Sequence, residues 1–145
     1  MTVEVNAASR MEIADALQMA AEAFARGEGL AVNDAHFYAL AFREALVNAI
    51  RHGHGEICDP RIRIRFEKNG DKLLFTVRDQ GPGFDPTTVP DPLEAENMRR
   101  GSGRGVFYMR KLTDKATFEF PEEGGTVVRL EKRLPAGVEV HKTET

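Results

Sequence analysis

The chain has 145 residues, enough for one compact domain and short for two. With 41% hydrophobic and 30% charged residues its composition is globular, which argues against global disorder. A net charge of −3 is not the footprint of a direct nucleic-acid or anionic-lipid binder, and the single cysteine, Cys58, excludes an intramolecular disulfide and a cysteine-based metal cluster. No apolar run reaches the length of a membrane span, and the first residues lack the basic and apolar regions of a secretory signal. The expected address is the cytoplasm.

In chain order, residues 2–6 alternate polar and apolar, as in a short strand. Ser9 is placed to cap a first helix, which carries Met11, Ile13, Ala14, Leu17, Ala20, Ala21 and Phe24 at helical spacing and stops near Gly27 and Gly29. A second helix is predicted from Asn33 or Asp34 to His52, closed by Gly53 in a left-handed cap. Its Phe37, Leu40, Val47 and Ile50 are read as core. The period then changes to two. Arg61 to Phe66 alternates arginine with apolar residues, Asn69-Gly70 is a hairpin signal, and Leu73 to Asp79 forms the return strand.

Residues 80–104 are rich in Gly and Pro and read as a long loop, with a short helical turn near 92–98; loops of that length in small domains usually serve function. Gly105 to Leu112 is helical. A last hairpin pairs 116–120 with 126–130 around Glu123-Gly124-Gly125, and a polar tail follows. The fold class expected is α+β: a two-layer α/β sandwich with a mixed, mainly antiparallel sheet and helices on one face. The ordered domain is expected over 1–134, with 135–145 as the tail.

Three groups of residues suggest chemistry. Glu44, Asn48 and His52 lie four and eight residues apart, on one helical stripe beside the small Ala41 and Ala45. Asn48 offers a hard amide oxygen suited to Mg²⁺, and Glu44 can take a proton from a hydroxyl. Spacing alone also describes a solvated helix face. Asp79-Gln-Gly81-Pro-Gly83-Phe84 ends a strand on which Leu73, Phe75, Val77 and Asp79 share a face, so a carboxylate lines up with core residues and needs a donor such as an adenine amine. The same string is also ordinary turn chemistry. Gly101-Ser-Gly103-Arg104-Gly105 directly precedes a helix, as a phosphate cradle does, with Arg99, Arg100 and Arg104 adding charge. Its spacing is not a dinucleotide fingerprint, and no Gly-Lys-Ser/Thr marks a P-loop. Arg61, Arg63 and Arg65 read as a solvated strand face rather than a docking site, and His52 as a helix-end residue.

In this order the motifs resemble the GHKL ATPase group (the Bergerat fold), and within it the bacterial anti-sigma factor serine-protein kinases of the RsbW and SpoIIAB type. Glu44-Ala-Leu-Val-Asn48-Ala-Ile-Arg-His52-Gly53 is similar to their asparagine box. Asp79 to Phe84 resembles the first glycine box, Gly101 to Asp114 the second with its following helix, and Gly125-Thr126-Val127 the closing Gly-Thr. The likeness spans about residues 1–134.

The resemblance implies ATP and Mg²⁺ as cofactors. By it, Asn48 coordinates the metal, Glu44 is the general base toward a serine or threonine hydroxyl, and Asp79 accepts the adenine amine with support from Thr126. Gly81 and Gly83 line the base pocket; Gly101, Gly103, Arg104 and Gly105 hold phosphates. The implied function is a regulatory serine/threonine-protein kinase that phosphorylates an anti-anti-sigma (STAS-domain) protein, with a sigma factor as a further partner, as a homodimer. An isolated domain of this length fits that reading. The alternative is a non-catalytic module that grips a partner with ATP as structural ligand.

Overall fold

The computed structural model describes residues 1–53, 58–81 and 103–135. Its elements are β1 (Thr2–Ala8), a 3₁₀ turn (Met11–Ile13), α1 (Ala14–Gly27), α2 (Val32–His52), β2 (Arg61–Asn69), β3 (Lys72–Arg78), α3 (Gly103–Lys111), β4 (Lys115–Glu119) and β5 (Val127–Arg133). The strands form one five-stranded sheet in the order β1-β2-β3-β5-β4, and every described pairing is antiparallel.

Alternation explains the two faces. Ile62, Ile64 and Phe66 of β2 and Leu73, Phe75 and Val77 of β3 are buried, whereas Arg63 and Arg65 are exposed. A strand places successive side chains on opposite faces, so one face is apolar and is covered by helices. Phe24 of α1 and Phe42 of α2 meet the rings of Phe66 and Phe75 at centroid distances of 5.2–6.0 Å. Tyr38 stacks on Phe75 at 4.2 Å, and its hydroxyl lies 2.7 Å from the Leu130 carbonyl oxygen and 3.2 Å from that of Leu73. Burying each such ring contributes about 1.5–3 kcal/mol, so these aromatics fix α1 and α2 on the sheet.

Several local expectations are corrected. Ser9 does not cap α1: its N–H donates to the Pro60 carbonyl at 2.9 Å, and the 3₁₀ turn intervenes before Ala14. Neither Asn33 nor Asp34 caps α2, which begins earlier, after Ala31, with no side-chain cap. Gly53 has φ −97°, not a left-handed cap. Phe37 is 46% exposed and is not core, whereas Ile50 is buried and Leu40 and Val47 are half-buried. Helical spacing marks a stripe, but packing against the sheet decides its width, and Phe37 falls outside it. The expected short turn near 92–98 lies outside the described residues.

The outer face carries the arginines. Arg61 bonds the Asn6 side chain and carbonyl, Arg65 lies 3.5 Å from Glu67, and Arg78 lies 2.9 Å from Glu123. Such exposed pairs contribute little, in keeping with a solvated strand face.

The crossover positions the site. The chain leaves β3, passes α3, reaches the edge at β4 and turns inward to β5, which lies between β3 and β4. The end of β3 therefore meets the start of β5: Asp79 N–H donates to the Thr126 carbonyl at 3.1 Å.

Candidate functional site

Asp79 follows the last residue of β3 and keeps the inward alternation of Leu73, Phe75 and Val77, which leaves it only 8% exposed. A carboxylate at that depth needs donors. Its Oδ1 accepts the N–H of Gly81 at 3.0 Å and the N–H of Thr126 at 3.0 Å. Burial raises its pKa above that of an ordinary aspartate, and these two backbone donors partly offset the rise. Thr126 thus acts through its backbone.

Three glycines pack around Asp79. A Cβ on Gly53 would overlap Cγ and Oδ2 of Asp79. One on Gly81 would overlap the Gly53 carbonyl group, and one on Gly125 the Asp79 carbonyl oxygen. Gly125 also has φ +84°, a conformation that disfavours a side chain. The C-terminal end of α2, the turn after β3 and the entry to β5 close on Asp79 because no side chain separates them. Oδ1 is occupied by backbone, while Oδ2 faces the Gly53 Cα without a protein donor among the described residues.

Along α2, Glu44 and Asn48 are half-buried and His52 is exposed. Ala41, Ala45 and Ala49 beside them are buried. Nine residues separate Glu44 from Gly53, about 13 Å along the helix. α3 packs beside Glu44: a Cβ on Gly105 would lie 2.9 Å from Glu44 Oε2. Val106 and Met109 anchor α3 in the core, while Phe107 and Tyr108 remain exposed.

The structure therefore groups the candidates at two places along the C-terminal half of α2. Asp79, Gly81 and Thr126 meet beside Gly53 at its end; Gly105 stands over Glu44, and Asn48 lies between the two. Gly103 opens α3. Gly83, Gly101, Arg99, Arg100 and His54 lie outside the described residues, as does the side chain of Arg104. Sequence reasoning missed the contacts of Gly53 and Gly125 with Asp79. Individually they were read as a helix cap and a hairpin residue. The signal available was that Gly53 closes the asparagine-box string and Gly125 opens the Gly-Thr string.

The comparisons agree with this fold. The family described as "Histidine kinase-like ATPase domain" matches residues 7–132. The anti-sigma F factor of Bacillus velezensis is 34% identical over 93 residues, which is 63% of this chain and 64% of that protein. The serine-protein kinase RsbW of Staphylococcus aureus is 30% identical over 106 residues, 68% of this chain and 66% of that protein. The chain thus spans slightly less than two thirds of the length of these relatives. Among solved structures, the RsbU and RsbW domains of a Mycobacterium tuberculosis protein superpose with a TM-score of 0.65 at 16% identity, covering 92% of this chain and 32% of that one. The histidine kinase domain of an Erythrobacter litoralis blue-light activated kinase gives 0.59 at 19% identity, covering 88% and 63%. These two likenesses concern the fold.

Proposed function

The chain belongs to the histidine kinase-like ATPase family, and on that premise we propose that it is a MgATP-dependent serine/threonine-protein kinase of the anti-sigma factor type, acting on an anti-anti-sigma (STAS-domain) protein. The observation that carries the reading is the Asp79 carboxylate: Oδ1 is held by two backbone donors, and Oδ2, beside the Gly53 Cα, has no protein donor among the described residues. A buried acceptor of this kind suits an exocyclic amine of a flat base, and Gly81 and Gly83 let the ring approach. The names of the anti-sigma F factor and RsbW relatives support the regulatory class.

The residues take the following roles. Asp79 reads the adenine amine through Oδ2, with Thr126 and Gly81 fixing the carboxylate. Gly101, Gly103, Arg104 and Gly105, at the entry to α3, hold phosphate oxygens with backbone N–H groups and charge. No cluster of three His, Cys, Asp or Glu among the described residues forms a metal cage. A magnesium ion takes most of its shell from phosphates and water, so the half-buried amide oxygen of Asn48 fits as a single protein ligand. Bound MgATP supplies the phosphoryl group. Glu44 accepts the proton of the attacking serine or threonine hydroxyl as its oxygen bonds phosphorus and ADP leaves. Among the described residues no helix is long and apolar enough to cross a membrane. We place the protein in the cytoplasm as a homodimer, with 1–134 as the nucleotide-binding unit and a sigma factor as a further partner.

Thermal unfolding with and without MgATP tests the site. Ligand at about a hundred times its Kd stabilises by roughly 2.7 kcal/mol, a shift of several degrees. The shift is expected in the wild type and absent in Asp79→Asn. Transfer of labelled phosphate to a STAS-domain protein is expected for the wild type and lost in Glu44→Gln. A shift without any transfer would replace the kinase with a non-catalytic, ATP-dependent partner-binding module; no shift at millimolar ATP would overturn both.

A further inference from the structure

We infer that Gly105 is a positioning residue: the missing side chain at the start of α3 reserves the space in which the Glu44 carboxylate stands, so that docking of α3 sets the base. The inference rests on the kinase reading and assigns Gly105 a task beyond lending its N–H to phosphate. A Cβ at position 105 would lie 2.9 Å from Glu44 Oε2 and 3.7 Å from Glu44 Cβ and Cδ, so the carboxylate oxygen is the atom in the way. That oxygen is the far end of a flexible side chain. It can swing aside at little cost to the fold, and in doing so it leaves its place.

Three further observations make this a specific device. Gly105 is itself buried, and the next residue, Val106, is 2% exposed, so this turn of α3 is fixed against α2 rather than lying in solvent. Ala41 and Ala45 flank Glu44 on α2 and are fully buried, and α2 packs directly on α3. The conformation at Gly105 is not among the positive-φ glycines, so backbone geometry does not demand glycine there. Helix propensity would favour alanine at a helical position. What excludes a side chain at 105 is the carboxylate of Glu44. The first turn of α3 and the Glu44 carboxylate are thus in direct contact.

Gly105→Ala separates this role from phosphate holding, because alanine keeps the N–H and the helical conformation. Three chains are compared with the wild type: Gly105→Ala, Glu44→Gln and the double variant. Nucleotide Kd, melting temperature, and kcat and KM for transfer to the STAS-domain protein are measured. Displacement of a reacting group by about an ångström costs on the order of a hundredfold in rate. The expected result for Gly105→Ala is a kcat loss of that order at saturating nucleotide, with a melting temperature near wild type, and no further kcat loss when it is added to Glu44→Gln. Losses that multiply in the double variant, an unfolded Gly105→Ala chain, or an unchanged kcat would each overturn the inference and leave the kinase standing. A wild type that binds nucleotide and transfers nothing would overturn the kinase reading, and this inference with it.

Discussion

Gly53 Cα faces the Asp79 carboxylate so closely that a methyl group on it would overlap both Cγ and Oδ2. The end of a 21-residue helix and the end of a central strand thus meet with nothing between them. A residue that looks like a helix stop in the sequence is, in three dimensions, one wall of the candidate base pocket.

Gly53→Ala should act mainly on that pocket. Overpacking typically costs about 1–3 kcal/mol. Part of this is relieved when the Asp79 side chain rotates, and rotation moves the acceptor oxygen. The expected outcome is a modest loss in melting temperature and loss of the MgATP-induced shift, both read in one thermal series.

Gly125→Ala should cost more stability than Gly53→Ala. The obstacle there is the Asp79 backbone carbonyl, which cannot rotate away, and φ is +84°. The left-handed conformation alone costs an L-residue roughly 1–2 kcal/mol. Urea unfolding of the two variants side by side checks the ranking.

The charge of Asp79 sets a pH dependence. Its folded pKa is raised above 3.8 by burial, so the folded chain binds the proton more tightly than the unfolded chain. This contribution to stability is fully present below the unfolded value and is lost as pH rises through the folded value. Nucleotide-free protein should therefore gain stability from this group as pH falls toward 3.8, and Asp79→Asn should lack that gain. Nucleotide affinity should move the other way, because an amine donor needs the ionised acceptor. Melting temperatures of wild type and Asp79→Asn across a pH series, with and without MgATP, read both.

Tyr38→Phe should destabilise the fold without touching the site. The Tyr38 hydroxyl reaches the Leu130 carbonyl oxygen at 2.7 Å from a fully buried position. Removing the donor leaves a buried carbonyl short of a partner, at about 1–3 kcal/mol. A lower melting temperature with an undiminished MgATP shift is expected.

How much of this could be read in advance varied by element. The β2–β3 hairpin was plain, because Arg61 to Phe66 alternates strictly and Asn69-Gly70 forces the turn, with Gly70 at φ +65°. The stripe of Glu44 and Asn48 was equally plain. The starts of α1 and α2 were not, because Ser9 is engaged by Pro60 and α2 extends to Val32 without a side-chain cap. Phe37 was misjudged because its spacing fits a core stripe that the sheet does not reach.

The sequence by itself determined the periods, the turns and the grouping of candidate residues into three segments, because these depend on neighbours a few positions apart. Only the tertiary structure decided that Asp79 pairs with Thr126, that Gly53, Gly81 and Gly125 pack around Asp79, and that Gly105 stands over Glu44. Apart from the local turn between Asp79 and Gly81, those contacts join residues 26–61 positions apart. They arise from the insertion of β5 between β3 and β4 and from the packing of α3 on α2, which no local pattern encodes.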